Sequence, residues 1–143
     1  MNEYLGRALE YAVDHGISYD LCEDFSPYTP SGSNPETNKI VINMNWYLSR
    51  QLPYVTCHEI SHIEHQDSGI LYFHTISKTP IEAEANKGAI NILVPMYFES
   101  VNVEDANAYT FMQEFDVPPF MEDYTIDAIH KFYKKEVPYN EDH

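Results

Sequence analysis

Thr56-Cys57-His58-Glu59-Ile60-Ser61-His62 reads H-E-x-x-H. On a helix, residues four apart lie one turn above each other, so His58 and His62 leave the same face. Two imidazoles so placed can hold one divalent metal, and zinc is the usual guest of paired histidine nitrogens. Glu59 is turned by about 100° from His58, beside the metal, where it can take a proton from a bound water as general base. The surrounding pattern supports a helix. Pro53 falls where a first turn tolerates it. Leu52, Thr56, Ile60 and Ile63 recur at 4-4-3 spacing, a stripe able to face a core, with the histidines on another face.

Working outward from this stretch, Asn38-Lys39-Ile40-Val41-Ile42-Asn43-Met44 is rich in β-branched residues and reads as a strand that leads into the metal helix. If Lys39–Met44 lies at a sheet edge, an extended substrate could pair with it through main-chain hydrogen bonds. Residues 26–37 are crowded with turn formers and read as a loop. Residues 3–15 repeat apolar positions at helical spacing, with Gly16 suited to the place after a helix end. Ile17 to Cys22 reads as a strand, and residues 70–74 as a strand or an extended loop. Thr79-Pro80 opens a second helix: Thr79 can cap it, Pro80 suits its first position, and Glu82 stands three after Thr79 as in a capping box. Pro95 is expected to stop that helix. Ala85, Gly88 and Ala89 would let it pack closely on the metal helix. Residues 103–116 and 119–134 read as further helices.

The length of 143 residues suits a single domain over residues 1–143, with a core to about residue 98 and a helical part from about 99 onward. Eight Lys and Arg stand against 23 Asp and Glu, a formal net charge of −15. Such a chain repels nucleic acid and anionic membranes, so neither is expected as a partner, whereas basic proteins would be attracted. Cys22 and Cys57 form no metal or disulfide framework. No apolar run approaches membrane-spanning length and no leader pattern opens the chain, so the expected location is cytoplasmic.

A catalytic zinc commonly takes three protein ligands and keeps one place for water. The spacing H-E-x-x-H-x-x-G-x-x-H would need Gly at 65 and His at 68; His65 and Ser68 stand there, which excludes that class. His65 falls nearly on the ligand face, but at the end of the helix, where it suits terminal carbonyls better. A carboxylate from the second helix is the alternative. Glu82 and Glu84 both qualify by type and lie about 200° apart on a helix, on opposite flanks of the stripe Ile81-Ala85-Ile92. Periodicity leaves the choice between them open.

His58-Glu59-Ile60-Ser61-His62, then Glu82-Ala83-Glu84-Ala85-Asn86, then Ile92-Leu93-Val94-Pro95, resembles the ImmA/IrrE family of metallo-endopeptidases over about residues 38–96. Where that family often has Phe-Ala after E-A-N, this chain has Lys87-Gly88-Ala89. The resemblance implies a small zincin-like α+β core and a zinc endopeptidase whose ligands are His58, His62 and Glu84, the Glu of E-A-N, with Glu59 as catalytic base. It also implies a substrate: the helix-turn-helix repressor of a phage or mobile element. Phe115-Asp116-Val117-Pro118 is similar to a turn found after the core in many members, but Glu114, Asp116, Glu122 and Asp123 suit it to packing or partner contact rather than to DNA. Oxyanion-stabilising candidates, by residue type alone, are Tyr72 and His74. A second function fits the same residues: a non-catalytic antirepressor or interaction module, its fold held by metal and its acidic surface bound to a basic DNA-binding protein. The presence of Glu59 favours the enzyme, since a purely structural site has no use for it.

Overall fold

The computed structural model describes residues 2–65, 72–73 and 76–136, and among these it is a mixed α and β fold. Helix α1 (Glu3–Asp14) opens on Asn2, whose side chain accepts from the backbone N–H groups of Tyr4 and Leu5 at 2.7 and 3.1 Å. Leu5, Ala8, Leu9 and Ala12 form its buried face. Gly16 closes it at φ +75°, a left-handed conformation that favours glycine.

Strands β1 (Ser18–Cys22), β2 (Gly32–Asn34), β3 (Lys39–Asn43) and β4 (Tyr72–Phe73) form one sheet in the order β1-β3-β2-β4. β1 runs parallel to β3, and β2 pairs antiparallel with both β3 and β4. Two expectations change here. The loop expected over residues 26–37 contains β2, three residues too short to show alternation. β3 is an interior strand with both sides paired, so its main chain is not open to a substrate; the edges are β1 and β4. Asn43 ends β3 and anchors the preceding loop. Its Nδ2 donates to the carbonyls of Ser26 and Thr29, both at 2.8 Å, its backbone N–H donates to Ser31 Oγ at 2.9 Å, and its Oδ1 accepts from Asn45 N.

Helix α2 (Leu52–Glu64) follows a short 3-10 turn at Ser49–Gln51. The apolar stripe read from the sequence is inside, but so is every other residue from Leu52 to Ile63. The sheet, α1 and α3 (Pro80–Phe98) enclose it. α3 begins at Pro80 as expected, yet it passes through Pro95 and ends at Phe98. An interior proline costs about 3 kcal/mol. The residues beyond it offset this: Phe98 is fully buried and stacks on Phe111 at 5.6 Å, and Tyr97 meets Phe111 and Phe115 edge-on at 5.4 and 5.6 Å. Burial of one such ring is worth about 1.5–3 kcal/mol, and an aromatic pair about 0.5–1.5 kcal/mol more. Pro95 and Asn91 are both exposed, so the Asn91 carbonyl that loses its helical donor lies on the water side.

The expected helix over 103–116 is a 3-10 turn at Val103–Asp105 followed by α4 (Ala108–Glu114). The one over 119–134 is a 3-10 turn at Pro119–Met121 continuing into α5 (Glu122–Glu136). One hydrophobic cluster runs from Leu5 on α1 to Ile129 on α5. No helix among the described residues is long and apolar enough to cross a membrane.

The expected close approach of α3 to α2 centres on Gly88. A Cβ placed there would lie 1.8 Å from Ser61 Oγ and 2.7 Å from Ser61 Cβ. The second atom sits next to the α2 backbone and cannot swing away, so the two helices would have to separate. On an open helix, Gly→Ala is worth about 1 kcal/mol in favour of alanine. Here the clash is expected to dominate, and Gly88→Ala should lower stability by about 1–3 kcal/mol, as overpacking does. Thermal unfolding checks this, with Ser61→Gly as the relieving second change; a raised midpoint in Gly88→Ala would refute the close contact.

Candidate metal centre

Three polar groups meet where α2 and the first turn of α3 face each other. His58 Nε2 lies 2.6 Å from Glu82 Oε1, and His62 Nε2 lies 3.2 Å from the same oxygen. The two rings are edge-on to one another at 4.9 Å. Both imidazoles are fully buried and Glu82 is 6% exposed. The helical spacing expected for His58 and His62 therefore brings their Nε2 atoms to one point, and the third partner is supplied by the other helix.

That partner is Glu82 and not Glu84. Glu84 lies on the far side of α3, its side chain 60% exposed and 3.7 Å from Lys87 Nζ. The stripe Ile81-Ala85-Ile92 does not mark the buried face, since Ile81 is 52% exposed. The buried face of α3 follows Glu82, Ala85, Asn86, Ala89 and Leu93 instead, and helical spacing puts Glu82 in line with the small residues that touch α2. Thr79 holds the expected N-cap position but makes no side-chain capping bond, and Glu82 turns toward the histidines. His65 also stays out of the cluster. Its Nδ1 faces the Ser61 carbonyl at 2.7 Å, as expected for a histidine at a helix end. His74 lies outside the described residues, and so does the side chain of Tyr72.

Two residues that the sequence reading missed hold the helices in register. Tyr54, one turn before His58, donates its hydroxyl to Asn86 Oδ1 at 2.8 Å. Asn86, one turn after Glu82, donates through Nδ2 to the Ser77 carbonyl at 3.0 Å. Tyr54–Asn86 and His58–Glu82 are thus successive cross-links between α2 and α3, and the first also fixes the segment that enters α3. The signal was available: Tyr54-x-x-x-His58 and Glu82-x-x-x-Asn86 share a four-residue spacing.

The electrostatics follow from burial. Burial alone pushes the Glu82 carboxyl up, but hydrogen bonds from His58 and His62, with their charges, outweigh it and hold the group at about 2. Glu82 is therefore a carboxylate at neutral pH. Burial, with Cys57 and Glu82 nearby, raises the Tyr54 hydroxyl well above its ordinary value, so Tyr54 keeps the proton it donates to Asn86. Burial likewise pushes the Cys57 thiol up, with Glu64 adding to the effect.

The donor set fits a metal ion. One ligand atom from each of His58, His62 and Glu82 lies within 4.8 Å of the others. Ligands of a tetrahedral zinc at about 2.0–2.1 Å stand roughly 3.3 Å apart, which matches the His62–Glu82 separation; the shorter His58–Glu82 contact would open slightly. His58 Nδ1 is buried and has no hydrogen-bond partner among the described residues. No protein-family model, curated protein or solved structure matches the chain. The site is therefore read from its own geometry.

Glu82→Gln is expected to weaken zinc binding by more than about 100-fold, beyond the loss caused by removing an outer hydrogen-bond partner. Glu84→Gln should leave it within about twofold, since exposed pairs contribute little. Competition with a chromogenic chelator measures both. Equal losses in the two variants would contradict the assignment.

Proposed function

We propose that the chain is a metal-dependent endopeptidase, with zinc held by His58, His62 and Glu82 and with Glu59 as general base. The observation that carries this reading is the three-donor buried cluster, with an equally buried glutamate next to His58 in the chain. Structural zinc sites close their shell with four protein ligands, whereas the three found among the described residues would leave a place for water. Glu59 follows His58 directly on α2 and is 1% exposed. Burying a glutamate side chain is unfavourable by itself, and a site that merely held the fold would not need this one. This weighs against the non-catalytic antirepressor reading.

A bound zinc would supply Lewis acidity, polarising a carbonyl and making a water more acidic. The chain's own residues would do the rest. Glu59 Oε accepts the proton of the attacking water and passes it to the leaving amine, one group serving as base and then as acid. Glu82, a carboxylate at neutral pH, would neutralise part of the charge of a bound metal. Tyr54 and Asn86 act as positioning residues, holding α3 so that Glu82 meets both histidines. The enclosure of α2 keeps the carboxylates out of bulk water, which would weaken the action of their charges. The formal charge of −15 suits a basic substrate, and the resemblance to ImmA/IrrE proteins supports a helix-turn-helix repressor as that substrate.

Glu59→Gln tests the reading. It should retain one zinc per chain and the wild-type thermal midpoint while losing cleavage of a basic repressor-type substrate by about 100-fold or more, the scale of general acid–base catalysis. Metal content by elemental analysis and cleavage by mass spectrometry are the readouts. Undiminished cleavage in the variant would remove Glu59 from the mechanism, and its absence in wild type and variant alike would favour the interaction module.

A further inference from the structure

A second feature lies on the surface, between the stretch that leads from β3 into α2 and the turn that joins α4 to α5. It is a groove of about 660 Å³, walled by Trp46, Ile76, Tyr109, Met112, Val117 and Phe120. That volume lies within the roughly 300–1,000 Å³ typical of ligand clefts. Tyr109 is 68% exposed and Phe120 40%, so aromatic surface is left in water, as is common where a partner docks.

The walls are braced rather than loose. Trp46 Nε1 donates to Gln51 Oε1 at 2.9 Å, and Gln51 Nε2 donates to the Asp116 carbonyl at 2.8 Å. Asp116 holds a left-handed backbone at φ +45°, and the next residue donates from Val117 N to the Met112 carbonyl at 2.9 Å. Gln51 thus ties the two walls together immediately before α2, and His58 follows seven residues later, about 10 Å along the helix. On the other side, Ile76 directly precedes Ser77, whose carbonyl Asn86 holds. The groove is built on the two segments that enter the ligand-bearing helices.

Its charge is one-sided. Asp116 and Glu122 belong to the lining, and among the described residues no Lys, Arg or His does. Two cations stand at its margin. Arg50 Nη2 lies 3.4 Å from Asp116 Oδ1 with a side chain 65% exposed, and Lys78 Nζ lies 5.3 Å from the centre of the Phe120 ring. Contacts of this kind at an exposed site are each worth about 0–1 kcal/mol. They mark places where a cation is accepted and from which it is easily displaced.

We infer that this groove docks an extended basic peptide segment, seating apolar side chains between Trp46 and Phe120 and setting Lys or Arg against Asp116 and Glu122. That such a segment is the substrate, led from here toward His58, rests on the peptidase reading; the docking itself does not. Trp46 is the chain's single tryptophan, so its emission reports on the groove. The full chain carrying Glu59→Gln, loaded with zinc, is titrated with a short capped alternating Lys/Leu peptide, its Glu/Leu counterpart and its Lys/Ser counterpart. A saturable shift with Lys/Leu alone is expected, weakened about fivefold by Asp116→Asn and by Glu122→Gln and abolished by Phe120→Ser. Asparagine tolerates the left-handed backbone at position 116, so the first variant keeps the wall intact. Equal binding of the Glu/Leu peptide, indifference to both acidic substitutions, or no shift with any peptide would overturn the inference. Because no cleavage is needed, a failure of the peptidase reading leaves this result readable, and a failed titration leaves the metal centre untouched.

Discussion

Burying His58, Glu59 and His62 in the middle of a hydrophobic cluster is the constraint to which the rest of the molecule answers. Polar side chains removed from water must find partners or destabilise the fold by several kcal/mol each. The histidines find Glu82 on α3, and a single carboxylate oxygen can serve both only if the two helices nearly touch. That requirement explains the bare backbone at Gly88, the alanines beside it, and the Tyr54–Asn86 bond that sets the helices in register. The aromatic cluster of Tyr97, Phe98, Phe111 and Phe115 holds the far end of α3, so the helix is fixed at both ends.

Much of this could be read in the chain, and the misreadings have specific causes. H-E-x-x-H depends on helical periodicity alone, and that is why His58 and His62 face one point as expected. The choice between Glu82 and Glu84 depends on which face of α3 meets α2. The stripe through Ile81 left that choice open, because an apolar residue in a first turn can stay exposed while a carboxylate goes inside. The E-A-N resemblance implies Glu84, whose side chain lies exposed beside Lys87. α2 was expected to be amphipathic; it is enclosed on every side, and its polar residues from Thr56 to His62 lie in the core with the apolar ones. The position of β3 inside the sheet depends on β2 and β4, of three and two residues, and strands so short leave almost no periodic signal. Pro95 is a local rule overridden by aromatic burial further along the helix.

The groove and the metal centre share a dependence on the few residues that precede α2. Asn43 fastens the 26–31 loop to the end of β3, Trp46 bonds to Gln51, and Gln51 reaches Asp116 beyond α4. This ties the sheet, the ligand helix and the C-terminal helices through side chains that have no place in the donor set. A substitution at Gln51 would therefore disturb both regions, and the two could not be assigned to separate causes by activity alone.

The thiol of Cys57 sits beside His58 in sequence, yet it is fully buried and burial holds it protonated. Among the described residues, the group at the centre is made of nitrogen and oxygen donors. A thiolate-bound ion can be expelled when its sulfur ligands are oxidised, because the thiolate is the species that peroxide attacks. The donors of this group include no thiolate for an oxidant to attack, and the Cys57 thiol is buried and held protonated. A metal bound here would therefore stay in place under oxidative conditions that strip zinc from cysteine-rich sites.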